Sequence, residues 1–196
     1  MPLSPPASRE PIHTRQIDCH GYRRTDGLWD IEGHIVDTKT YGFGNDERGR
    51  VEPGMPIHNM SIRLTVDDQL TIHGVEATTD ASPYRICPEV TPNFQRLIGL
   101  RIGAGFRRAV RDRLGGTEGC THLVELLVPV GTTAFQTIFP IVGREQFNRS
   151  QPAGAADPSK PPKRPALLDS CYAFSAEREV VARQWPEFHR PSGRED

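Results

Sequence analysis

Ionisable side chains gather in three places along this chain. The stretch DGLWDIEGHIVDTK, residues 26–39, sets Asp30, Glu32 and His34 at every second position; HNMSIRLTV opens on His58; and GCTHLVEL places Cys120 two residues before His122. Each pattern suits a different chemistry. In an extended strand Asp30 and Glu32 share one face, with alpha carbons about 6 to 7 Å apart. Two carboxylates held that close push one pKa upward and make it a general acid or base near neutral pH. The plainer expectation is the solvated outer face of an antiparallel sheet. His58 has the parity of Met60, Ile62, Leu64 and Val66. It therefore ends an apolar stripe, either as a core histidine bonded to backbone or as a base at the mouth of an apolar pocket.

The remaining candidates are binders and ligands. Trp29 and Met60, on the apolar parity, are expected to contact substrate. Arg63, on the polar parity, is expected to pair with a carboxylate of a neighbouring strand or to hold an anion. Arg107 and Arg111 stand four apart on a basic helical stretch and form a second candidate anion site. Asp26 before Gly27 suits a turn, and Asp37 with Lys39 suits an exposed ion pair. Cys120 falls at a helix start, where the dipole favours thiolate. With His122, Cys87 and Cys171 it offers three sulfurs and one imidazole, a set that would bind zinc or iron. Buried thiols packed under a helix are the alternative.

These side chains need a scaffold to position them. From Ile12 to about Ala77 the hydrophobic period is two, with DDQ at 67–69 as a tight turn, which predicts an antiparallel sheet. From Thr91 the spacing becomes helical: Phe94, Leu97, Ile98, Ile102, Phe106, Val110 and Leu114 form one stripe, Thr91 caps, and Gly115 and Gly116 stop it. Gly99, Gly103 and Gly105 weaken that helix by roughly 1 kcal/mol each and predict a break near Gly99 or a close backbone approach. A second helix is expected from about Gly119, kinked or ended by Pro129. SCYAFSAEREVVARQWP predicts a late hairpin. The fold class is therefore α+β, an antiparallel sheet covered on one side by a helical segment. Residues 1–11 form a loose tail, 12–149 the domain, 150–165 a proline-rich linker or loop, 166–188 the hairpin that completes the domain, and 189–196 a second tail.

Taken together, HTR, DGLWDIEGHIVDTK, GMPIHNMSIRLTVD, GCTHLVEL, SCYAF and WP resemble an uncharacterised bacterial family known only as a domain of unknown function. The resemblance covers roughly residues 12–188 and implies one fold, with no established mechanism attached. Residues 70–136 are more distantly similar, in their order of strand, lone cysteine, glycine-bearing helix and GCTHLVEL, to the scaffold proteins of iron–sulfur assembly. Those scaffolds carry a third ligand cysteine upstream, and His58 to Ser61 contains none.

Composition narrows the function classes. Lysine plus arginine number 24 against 25 aspartates and glutamates, a net charge of −1, which lacks the basic footprint of a nucleic-acid binder. No signal peptide is recognisable, and no stretch reaches the roughly 20 apolar residues of a membrane span. A cytoplasmic protein with reduced thiols is expected, with homo-oligomerisation left open. Neither a phosphate-cradling glycine loop nor a dinucleotide fingerprint is present. The leading expectation is a cofactor-free enzyme acting on a small molecule through His58 and Asp30 or Glu32. Its chemistry would be that of a lyase, decarboxylation or retro-aldol cleavage of an aromatic compound. The alternatives are a non-catalytic zinc or iron scaffold built on Cys87, Cys120, His122 and Cys171, and a module that binds a small acid through its arginine helix.

Overall fold

The computed structural model describes residues 3–150, 162, 164, 165 and 167–191, except the side chains of 146–150. The chain divides into two compact units, Met1–Arg149 and Ser150–Asp196. Most of the expected 150–165 linker, and the end of the second tail, lie outside the described residues.

In the first unit the chain forms β1 (His13–Arg23), β2 (Trp29–Lys39), a small hairpin of β3 (Phe43–Asn45) and β4 (Gly49–Val51), then β5 (His58–Val66) and β6 (Ile72–Ala81). The long strands make one antiparallel sheet in the order β1-β2-β5-β6. Turn chemistry sets the connections: Gly27 takes a φ of 87° after Asp26, and Asp67 accepts bonds from the backbone N–H groups of Gln69 and Thr71.

Period-two alternation sorts the side chains. Trp29, Ile31 and Ile35 of β2 and Met60, Ile62, Leu64 and Val66 of β5 are buried on the inner face. The outer face carries Asp30, Glu32 and Arg63, and a pocket of about 290 Å³ lies on it, lined by Glu32, His34, Ser61 and Arg63 among others.

The stripe expected as one helix from Thr91 to Leu114 is two segments. A 3-10 run covers Cys87–Leu97, and α1 covers Phe106–Leu114. Between them the backbone bonds to the turn before β6 and to its first residue, Ile72 donating to the Leu100 carbonyl and Ile102 to that of Leu70. Gly99 and Gly105 adopt φ of 82° and 83°, the left-handed conformation that ends each turn cheaply.

The second helix, α2 (Thr121–Ser150), is longer than expected, because it runs through Pro129 and Pro140. Each interior proline costs ~3 kcal/mol or more, yet Leu123, Leu126, Leu127, Val130, Ala134 and Ile138 are at most 1% exposed and join the sheet in one core. That burial outweighs the local penalty. Thr121–Glu145 is also long and apolar enough to cross a membrane, with a mean hydropathy of 1.5. This corrects the expectation that no such stretch exists; one side of the helix is core.

In the second unit the predicted hairpin is absent. Tyr172–Phe174 and Pro186–Phe188 are 3-10 turns and α3 spans Glu179–Gln184. Leu168, Ala176 and Val181 are buried together against Trp185 and Phe188. Asp169, at φ 61°, accepts from the Ala176 N–H and from Arg164. Those bonds close a loop where the alternation suggested a strand.

Candidate functional site

The sheet register assembles the site. Arg15 of β1 lies opposite Asp37 of β2, and Asp37 lies opposite His58 of β5, so three adjacent strands place these side chains in one row of the inner face. Asp37, 1% exposed, is a buried charged residue at the margin of the core. Its Oδ1 accepts from Arg15 Nε at 2.8 Å and its Oδ2 from Arg15 Nη2 at 2.8 Å, a bidentate pair. His58 Nδ1 lies 2.9 Å from Oδ2, and His13 Nε2 3.3 Å from Oδ1. Arg15 is steadied in turn by Glu125 of α2, at 3.0 Å.

Electrostatics assign the protons. Burial opposes the charge on Asp37, but the bonds from Arg15 and His58 outweigh it and hold the carboxyl at about 2. It is therefore an acceptor only. The 2.9 Å contact needs a proton on His58 Nδ1, which leaves Nε2 of the neutral ring as a free base.

His122, in the first turn of α2, stacks on His58 with ring centroids 3.7 Å apart and planes tilted by 32°. Burial pushes both imidazoles below their usual range; the positive charge of Arg15 adds to this at both, while Asp37 works against it at His58. Both shifts favour the neutral rings, and the stacking keeps the two imidazoles side by side.

The pair sits in the wall of a pocket of about 550 Å³ between β5, the 3-10 run and the start of α2. Met60, Ile86 and Val90 give it apolar surface; Asn93 and Cys120 are among its polar groups. Cys120 Sγ is 3.9 Å from His122 Nδ1 and 3.8 Å from Met60 Sδ. Glu89 lines it as well, and no lysine or arginine does among the described residues.

The residues singled out from sequence scatter. His58 and Met60 line the pocket, but Asp30 and Glu32 point from the opposite face of the sheet, where Asp30 bonds Thr65 and Arg24 and Glu32 bonds Arg63. Strand alternation forbids either from reaching His58 through the sheet. Arg63 is tied between Glu32 and Glu76, 2.8 Å from each. Trp29 is buried with its indole N–H on Asp68. Arg107 and Arg111 border a separate groove of about 320 Å³ with Phe106, Val110 and Leu127.

Among the described residues Cys87, Cys120 and His122 do not form a group within metal reach. Cys87 and Cys120 face the pocket, whereas Cys171 is an exposed residue of the second unit. Among the described residues the group within metal reach is Asp37, His58 and His122, whose ligand atoms lie within 4.8 Å of one another. Asp37 fits that role poorly, because Arg15 already holds both of its oxygens and would stand beside the added cation.

Asp37 is the main residue missed from sequence. It corrects the exposed Asp37–Lys39 pair, and the available signal was its parity, which is that of Trp29, Ile31 and Ile35. Arg15 and His13 gave no such signal, since edge strand β1 lacks a clear apolar period.

The fold and site thus define an α+β protein with a carboxylate-anchored histidine pair under an apolar pocket. The family described as protein of unknown function (DUF2889) matches residues 13–136, more than half of the 196-residue chain, and the chain belongs to it. The match takes in every residue of the Asp37 cluster. No curated protein and no solved structure matches the chain.

Proposed function

We propose that this protein is a small-molecule enzyme in which His58, oriented by Asp37, is the general base and His122 the partner that carries the proton onward. The observation that carries this reading is the buried Asp37 bonded to His58 Nδ1 at 2.9 Å, with that histidine lining the pocket. A fixed carboxylate behind a neutral imidazole sets its tautomer and stabilises the imidazolium that forms on proton uptake.

Lyase chemistry on an aromatic compound suits the pocket, and its lining favours one form of it. Decarboxylation requires a carboxylate substrate, for which the walls among the described residues offer no lysine or arginine and include the repelling Glu89. Retro-aldol cleavage of a neutral β-hydroxy carbonyl compound needs neither. His58 Nε2 takes the hydroxyl proton, the bond between the alpha and beta carbons breaks, and an aldehyde leaves. The electron pair moves onto the carbonyl as an enolate, and the proton returns to the alpha carbon from the histidine pair.

The aldol adduct of benzaldehyde and acetone is a direct probe, with benzaldehyde release followed by its absorbance. Turnover by the wild type, abolished in His58→Gln with the melting temperature held, supports the reading. No cleavage by the wild type, or full activity in His58→Gln, ends it. Elemental analysis of the same sample tests the rival: a stoichiometric metal lost in His122→Gln would replace acid–base catalysis with a metal centre.

A further inference from the structure

Strand β1 is an edge of the sheet, with no strand paired to its outer side among the described residues. It pairs with β2 over 11 residues without a register shift and contains no proline and no lysine. Protein edges are normally blunted by short length, bulges, proline or lysine, and β6 on the other side shows two register shifts in its pairing with β5. The ladder also reveals which groups are free. Arg24 N–H donates to the Leu28 carbonyl and Thr40 N–H to that of Ile12. These bonds bracket the β1–β2 ladder and mark the even-numbered β1 residues as those bonded to β2. Successive residues alternate direction, so His13, Arg15, Ile17, Cys19, Gly21 and Arg23 turn their N–H and C=O groups outward.

We propose that a second copy of this chain pairs antiparallel with β1 about a two-fold axis at Ile17, extending the sheet across the dimer. The residue pattern favours that register over those shifted toward Arg23. Outward groups bond only when odd-numbered residues face odd-numbered residues. Centring on Ile17 brings Ile17, 41% exposed, against its own copy, and Gln16 against Asp18 of the second copy. Thr14 then meets His20, and Arg15 meets Cys19. Centring one residue later sets Asp18 against Asp18, and one further sets Arg15 against Arg23; like charges directly opposite are destabilising. Gln16 already donates to Asp18 of its own strand, 3.0 Å away, and the same amide would serve the neighbouring chain. Self-complementarity of this kind is what an isologous interface requires, and it favours a second copy over an unrelated strand. The proposal is independent of the catalytic reading.

Light scattering on the eluting full-length protein at micromolar concentration tests it, with twice the 21.9 kDa chain mass expected. Ile17→Pro removes an outward N–H and leaves the β1–β2 ladder intact, since an edge strand admits proline there. It should halve the mass with circular dichroism unchanged. Ile17→Lys, which sets two like charges on the axis and keeps the backbone, should do the same should the proline variant fail to fold. A monomeric wild type overturns the proposal, as it would if a segment of the same chain covered this edge. A Lys variant that stays dimeric also overturns it and moves the interface elsewhere.

Discussion

Asp37 shows how much one buried carboxylate organises. It is extracted from water, which alone would favour its neutral form, and it stays ionised because Arg15 bonds it twice and His58 once. Asp37→Asn keeps the volume but presents an amide that can donate to Nδ1, so His58 loses its fixed tautomer. Turnover of the aldol adduct should fall ~10²- to 10⁴-fold, the usual worth of a positioned general base, read as kcat under saturating substrate. In the proposed reaction the imidazoles act in their neutral form, and burial lowers both pKa values. The acid limb of kcat/KM should therefore lie below pH 6.5, and Arg15→Gln, by removing a nearby positive charge, should move it upward. A limb above pH 7 would contradict the assignment of His58 as the base. Much of this site was legible in outline. The parity of HNMSIRLTV places His58 on the apolar face, and the parity of LWDIEGHIVD places Asp37 there too. Chemical habit misleads, because a cluster of acids draws attention to Asp30 and Glu32 while alternation turns them outward.

The sheet and α2 approach closely through glycines. A Cβ at Gly33 would press into Val130 and Leu126, and one at Gly21 into Thr137. Gly33→Ala should therefore cost about 1 to 3 kcal/mol, the price of overpacking. Gly44→Ala, which meets nothing within 4 Å, is the control and should stay within about 0.5 kcal/mol of wild type. Urea unfolding followed by circular dichroism distinguishes them, and equal costs would mean that α2 does not rest on Gly33. This contact also explains why α2 continues through two prolines. Local propensity ends a helix at Pro129, but apolar side chains on both sides of it are already committed to the core. The same competition acts at Gly99, where bonds to the start of β6 replace a helical turn, and in SCYAF, where Asp169 closes a loop.

At the scale of the molecule, these ionisable groups link stability to pH. The unfolded carboxyl of Asp37 binds a proton near its ordinary value and the folded one only at about 2. Its contribution, roughly 2 kcal/mol, is whole above pH 4 and is lost as pH falls through that window. His58 and His122 are also shifted downward, so the unfolded rings take protons first and stability begins to fall below pH 6.5. Melting temperature should thus decline in two stages on acidification, and Asp37→Asn should lose the lower one. A single stage unchanged in that variant would remove Asp37 from the ledger. The amino-acid sequence by itself determined the α+β class, the inward and outward faces of the strands, and the parity that sends His58 and Asp37 to the same side, because these follow from the two-residue repeat of extended backbone. Tertiary structure decided which strands lie side by side. Only the register of β1 on β2 and β2 on β5 brings Arg15, Asp37 and His58 into one row, and only the seating of α2 sets His122 on His58, because long-range pairing depends on how whole faces fill a common core.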